Sequence, residues 1–231
     1  MTPTHFAPLP GRSRRGRRPA LAAACLALVL PGALQGQDRA AEALRAASDT
    51  YGGLTTICAD FHQVLTVTLL RQVKEARGEL CQRRPNLFFM RFSEPGGDEV
   101  VADGEWFWVY YASVNPDQVV RLPLDPARGG LDFYREFLER PGERYHAVLE
   151  GEEEVTGRAT LRIALTPRQA RGYESARVWI DPGRGMIRRV EVAEENGTVR
   201  RVTLDRIRVD PVLPADAFTY RVPDGVRVVS R

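Results

Sequence analysis

Any bond-making or metal chemistry in this chain would have to rest on three histidines, three cysteines and a run of acids. His5 lies in a basic tail. His62 and His146 stand alone in alternating segments, so each reads as a strand-surface residue without the companions that a metal site or a general base requires. Glu150, Glu152, Glu153 and Glu154 offer oxygen ligands. A cation cage needs spaced ligands and a sharp glycine turn, so the run reads as a solvated loop. The sequence has no GxSxG elbow, Walker loop, HExxH or CxxC pair. Gly183-Arg184-Gly185 begins like a dinucleotide fingerprint, but Arg188 stands where the third glycine belongs. These absences predict a protein that is not an enzyme and holds no cofactor or metal.

The unusual feature is aromatic. Phe88, Phe89, Phe92, Trp106, Phe107, Trp108, Tyr110 and Tyr111 fall within 24 positions, on both parities of an alternating pattern. A sheet buried on both faces would produce this, and so would a curved sheet with a lipid-sized pocket on one side. Phe88, Trp106 and Trp108 are therefore candidates to line an apolar pocket. Ordinary core packing accounts for the same pattern.

The elements that must carry these residues follow from periodicity. Ala40, Leu44, Ala47 and Tyr51 recur at spacings of 4, 3 and 4, which predicts a helix capped by Asp38 and stopped by Gly52-Gly53. From Cys58 the period becomes two. Phe61, Leu65, Val67 and Leu69 share parity, and Leu161, Ile163 and Leu165 alternate with polar residues. Asp103-Gly104, Asp181-Pro182-Gly183 and Asn196-Gly197 supply hairpin chemistry. The fold class is mainly β: an antiparallel sheet long enough to curl into a barrel, with an N-terminal helix. A second, short amphipathic helix is expected over Leu131–Leu138, between Pro126 and Pro141.

Residues 1–36 hold Arg12, Arg14, Arg15, Arg17 and Arg18, no acid, and the apolar run Ala20–Leu30. This is a secretory signal pattern, too short for a permanent span, with cleavage expected between Ala33 and Asp38. Arg14-Arg15 leaves a twin-arginine route open beside the general one. Removing those five arginines from the net charge of +3 leaves −2 for residues 37–231, which are expected to form a single domain. A nucleic-acid binder would keep its positive charge in the folded part, so no nucleic-acid partner is expected.

The stretch Gly78-Glu-Leu-Cys-Gln-Arg-Arg-Pro-Asn-Leu-Phe88 resembles a segment of the periplasmic outer-membrane lipoprotein carrier (LolA) family. So do Glu94-Pro95, Val100–Gly104, Phe107–Tyr110 and, upstream, Ala59–Gln63. Leu165-Thr-Pro167, Asp181–Ile187, Pro214–Tyr220 and Pro223–Val226 are similar to the family's closing strands in order and spacing. The resemblance implies an unclosed antiparallel β-barrel, a half-barrel lined by apolar side chains, with helices as a lid. It implies a monomeric periplasmic chaperone without chemistry of its own. Acylated lipoproteins would arrive from an inner-membrane ABC-type release complex and pass to an outer-membrane receptor lipoprotein. The resemblance assigns Arg84 to lid control, pointing inward to backbone carbonyls of the lid and needed for handover. It assigns Phe88 to the cavity or lid contact.

The lid stretch departs from the family by carrying Asp132, Arg135, Glu136, Glu139 and Arg140. A carrier for another periplasmic lipid or glycolipid therefore stays open, as does a carrier-like sensor or interaction module. Related sensors carry a second C-terminal domain, whereas this sequence ends soon after the expected barrel. Cys58 and Cys81 follow the signal segment, and export permits a disulfide between them. The hairpin it needs would centre its turn on Leu69-Leu70, poor turn residues, so bonded and free forms both stay open.

Overall fold

The structure, a computed structural model, describes residues 32–124 and 134–230. Of the expected signal segment, residues 1–36, the first 31 lie outside them, as do Leu131–Phe133 of the expected second helix.

Helix α1 spans Gly32–Gly52. It starts six residues before the predicted cap, so Asp38 is an exposed mid-helix residue. Ala33, Leu34 and Gln35 all favour helix, and one glycine at position 36 costs too little to stop it. The predicted apolar stripe is the buried one: Ala40, Leu44, Ala47 and Tyr51. At the other end Gly53 N donates to Asp49 O (3.2 Å) and Thr50 O (3.1 Å), closing the last turn.

The described residues hold twelve strands: β1 (Thr56–Val67), β2 (Gln72–Arg83), β3 (Leu87–Glu94), β4 (Gly96–Asp103), β5 (Trp106–Tyr110), β6 (Gln118–Pro123), β7 (Tyr145–Val155), β8 (Arg158–Pro167), β9 (Tyr173–Asp181), β10 (Met186–Glu194), β11 (Thr198–Val209) and β12 (Arg227–Ser230). Their order in one sheet is β12-β6-β5-β4-β3-β2-β1-β11-β10-β9-β8-β7. Only β12 against β6 is parallel among these pairs. β12 and β7 remain as two edges, so the sheet does not close into a barrel. The Asp103-Gly104, Asp181–Gly185 and Asn196-Gly197 turns join neighbouring antiparallel strands, as their chemistry predicts. Asp103 Oδ1 accepts from the amides of Glu105 (3.0 Å) and Trp106 (2.8 Å), an Asx-type closure.

Two glycines mark close approaches. A Cβ on Gly78 would lie 1.9 Å from the Arg91 carbonyl oxygen, at the bulge where β2 meets β3. A Cβ on Gly185 would lie 2.3 Å from Thr50 Oγ1, where α1 sits on the β9–β10 turn.

The second helix differs from expectation. A single π-helical turn covers Tyr134–Leu138, and a short helix α2 covers Pro141–Arg144. Pro141 therefore begins a helical turn instead of ending one, because proline at the first helical position loses no needed N–H. The acid run is a further correction. Glu150, Glu152, Glu153 and Glu154 belong to β7 and not to a loop, although Glu150, Glu152 and Glu154 are solvent-exposed as expected. Glu150 pairs with Arg162 (3.1 Å) and Arg177 (3.0 Å), and Glu153 with Arg189 (2.8 Å). Arginines on neighbouring strands thus neutralise acids that sequence alone left unpartnered. The resembled closing segment Pro214–Tyr220 also forms turns and extended chain instead of a strand. Its Ala217, Phe218 and Tyr220 are buried against the sheet.

Cys58 and Cys81 are register partners on β1 and β2, and a disulfide joins them. The intervening turn does centre on Leu69 and Leu70, as a 3-10 turn over Thr68–Leu70 closed by Arg71 in the left-handed region (φ 50°).

Candidate functional site

The sheet has two faces of different character. On the inner face, α1 packs over β7, β8, β9 and β10. Its stripe meets Leu161, Ile163, Leu165, Val178, Ile180 and Ile187. The same face continues across β11, β1, β2, β3 and β4 as Leu204, Phe61, Leu80, Phe88, Met90 and Val100. Ile57 and Ala59 share parity on β1 and belong to the two halves in turn, and Ile207 touches both. One apolar surface therefore runs through the concave side. Phe61 and Phe92 meet edge to face, with centroids 5.1 Å apart.

Phe88 sits on this inner face, 5% exposed. Trp106 and Trp108 do not join it, and here the structure departs from the expectation that these aromatics share a pocket. Both lie on the outer face with Cys58, Cys81 and Phe89, beneath the 213–226 segment. Tyr220 stacks on Trp108 at 5.0 Å, and the Arg121 guanidinium lies 4.1 Å over Trp106. Trp108 Nε1 donates to Asp103 Oδ2 (2.7 Å). Parity forces the separation: Phe88 pairs with Ala102 and Ala102 with Phe107, so Trp106 and Trp108 point the other way. A cavity of about 510 Å³ on that outer side is lined by Glu79, Arg91, Glu99, Asp216, Thr219 and Arg221, among others. Its charged walls suit water and ions rather than acyl chains.

Arg84 follows β2 and precedes Pro85, where the ladder is interrupted. Its guanidinium reaches the end of α1. Nε donates to Leu54 O (2.8 Å), and Nη2 donates to Gly52 O (2.6 Å) and to Leu54 O. The last carbonyl of α1 and one from the chain just after it are thus met by a rigid cationic fork. Arg84 meets the end of the helix that packs on the inner face, and Phe88 lies on the sheet within that face.

A second anchor was not legible as such in the sequence. Glu136, in the π-helical turn, is buried and accepts from Tyr145 OH (2.7 Å) and Tyr173 OH. It also pairs with Arg144 (3.1 Å) and Arg171 (3.4 Å). Burial works to raise its pKa, but the two hydroxyls and two guanidinium charges outweigh burial and hold it below the usual carboxylate value. Tyr173 and Tyr145 are pushed up, by burial first and by the adjacent carboxylate. The signal available was Glu136 as one of the charges in an otherwise amphipathic stretch. Its partners come from α2, β7, β9 and the loop before β9, which no local pattern links. Among the described residues, no group of three or more His, Cys, Asp or Glu could hold a metal ion.

Fold and site together define an open, curved antiparallel half-barrel whose apolar inner face is covered in part by a latched helix. The comparisons agree. The family described as "Outer membrane lipoprotein carrier protein LolA" matches residues 52–221, and the chain belongs to that family. It is similar to an outer-membrane lipoprotein carrier protein of Halorhodospira halophila, 27% identical over 190 residues, covering 80% of this chain and 84% of that one. A protein of the same description from Yersinia pestis bv. Antiqua is 28% identical over 171 residues, covering 73% and 78%. Among solved structures, an uncharacterized conserved protein from Thermus thermophilus shares the fold, with a TM-score of 0.54 at 16% identity, over 84% of this chain and 99% of that one.

Proposed function

We propose that this protein is a periplasmic chaperone that shields the acyl chains of lipoproteins and carries them from the inner to the outer membrane. The observation that carries the reading is the continuous apolar inner face from Ile163 to Phe88, in a member of the lipoprotein carrier family. The physical need is plain. Each CH₂ left in water costs about 0.8 kcal/mol, so a multiply acylated anchor faces a cost on the order of tens of kcal/mol when free. A nondirectional apolar surface offsets that cost and still lets cargo slide off. In this reading α1 is displaced to admit acyl chains, and Arg84 favours its return. The chain is exported by its cleaved N-terminal segment, acts as a monomer and performs no chemistry. It loads from an ABC-type release complex and unloads onto an outer-membrane receptor lipoprotein.

The test is a transfer assay. The delipidated protein should bind a hydrophobic fluorescent probe, release it to an acylated lipoprotein, and deliver that lipoprotein to receptor-bearing outer membranes. Failure to bind any probe above background removes the carrier reading. Binding of glycolipid or phospholipid in preference to lipoprotein, read by mass spectrometry of material co-purified with it, would reassign the cargo.

A further inference from the structure

Between Gly52 and Thr56 the chain passes from α1 into β1, and its backbone groups are met by two remote residues. Arg84 meets the carbonyls. Its side chain donates to Gly52 O and Leu54 O, and its backbone N–H donates to Thr55 O (3.0 Å). Asp210 meets the amides. Its Oδ1 accepts from Thr55 N (3.0 Å) and Thr56 N (2.7 Å), and its own N–H donates to Thr56 O (2.9 Å). Asp210 breaks local rules at this place. It holds a left-handed backbone (φ 45°), and it precedes Pro211, where extended backbone is the norm. Its side chain is exposed, so no packing gain accounts for the strain. Strain of this kind persists where the surroundings use it.

The two residues grip the same peptide units. Leu54 C=O and Thr55 N–H belong to one planar trans peptide, and Thr55 C=O and Thr56 N–H to the next. In a trans unit the C=O and the N–H point to opposite sides. Arg84 therefore holds one side of each unit and Asp210 the other. The carboxylate fixes where the Leu54 carbonyl points. That direction decides whether one guanidinium can reach it together with Gly52 O. A cation on the carbonyl and an anion on the amide also polarise the unit in the same sense, so each bond strengthens the other. Just upstream, Gly52-Gly53 is the most permissive backbone pair a chain can offer. A place free to bend thus adjoins a clamped one.

We infer that Asp210 is a positioning residue for the Arg84 latch. It anchors the root of α1, so that the helix swings about Gly52-Gly53 while Thr55 and Thr56 stay in place. It also returns the two carbonyls to the guanidinium in one geometry. In the carrier reading, on which this role rests, the swing admits acyl chains, and Asp210 controls how that same site closes. An aspartate that merely ended β11 would stabilise the fold and leave the effect of Arg84 unchanged.

The experiment is a double-mutant cycle on the protein as recovered from cells expressing the full chain. It is read by affinity for a hydrophobic fluorescent probe and, without probe, by amide hydrogen exchange. Asp210→Gly accepts the left-handed backbone without strain and removes the acceptor, whereas Asp210→Asn keeps an acceptor oxygen. Arg84→Leu should raise probe affinity by about 30-fold in the wild-type and Asp210→Asn backgrounds, and by no more than about threefold in the Asp210→Gly background. An equal rise in all backgrounds would overturn the inference. So would no rise in the wild-type background, since there would be no latch to position. In exchange, Arg84→Leu should speed the α1 amides by at least about tenfold and leave Thr55 and Thr56 at wild-type protection, whereas Asp210→Gly should speed those two. Loss of their protection in Arg84→Leu alone would also overturn it, because Asp210 would then not hold the root. Absence of probe binding by the wild type would remove the carrier reading, and exchange would decide the clamp by itself.

Discussion

Replacing Arg84 by leucine should trap cargo on the protein. Arg84 joins the end of α1 to the β2–β3 turn through Gly52 O and Leu54 O. A hydrogen bond from a charged donor contributes about 1.5–3 kcal/mol. Gly52 is exposed and Arg84 half-buried, so water replaces part of what is lost. One bond's worth, about 2 kcal/mol, is the expected net change, equal to a factor of about 30. In the proposed carrier cycle, where α1 leaves the inner face to admit acyl chains, that factor would act on the closed, empty state. A variant with a weaker closed state retains cargo more strongly by the same factor. Probe affinity for Arg84→Leu should therefore rise by up to about 30-fold, while lipoprotein transfer to receptor-bearing membranes slows. Arg84→Lys should fall between, because a point charge cannot occupy two carbonyls with a fixed fork. Probe affinity and transfer within twofold of wild type would refute the reasoning and leave Arg84 a helix cap without functional weight.

Three further outcomes follow from the two faces, the disulfide and a buried hydroxyl. Phe88→Ala should weaken probe binding several-fold, and Trp106→Ala, on the outer face, should leave it unchanged; the reverse ranking in fluorescence titration would move the site across the sheet. Cys58→Ala/Cys81→Ala should lower stability by about 3 kcal/mol, since the bond closes a loop with sequence separation 23. A reductant should lower the wild-type melting point equally and the variant's not at all. Burial pushes the Tyr51 hydroxyl up to about 12 from 10.0. Its folded pKa is the raised one, so its contribution is complete below pH 10 and is lost as pH climbs to about 12, on the order of 2–3 kcal/mol in all. Urea unfolding at pH 9 and pH 12 should show a steeper alkaline loss for wild type than for Tyr51→Phe, and identical losses would count against it.

Local chemistry alone made much of this protein legible. The stripe Ala40, Leu44, Ala47 and Tyr51 marks a helix by period, because side chains 3 and 4 apart must share a face. Asp103-Gly104, Asp181-Pro182-Gly183 and Asn196-Gly197 mark hairpins, because few residues accept a left-handed backbone. Alternation from Cys58 onward marks strands. What alternation cannot say is which side of a strand a distant segment will cover. Phe88 and Phe89 look equivalent in sequence; Phe218, about 130 positions away, makes one of them outer core. Trp106 and Trp108 face away from the pocket that their sequence suggests for the same reason, since Tyr220 and Arg121 decide their surroundings. The acids of β7 read as solvent-facing until Arg162, Arg177 and Arg189 arrive from neighbouring strands. Glu136 gains its role from Tyr145, Tyr173 and Arg171, and Arg84 its role from two carbonyls some 30 positions earlier. Period, turn residues and capping act within a few bonds of the chain and are carried by the sequence itself. Partner, face and burial arise only when the register of long-range pairing brings remote residues together, and that belongs to the tertiary structure.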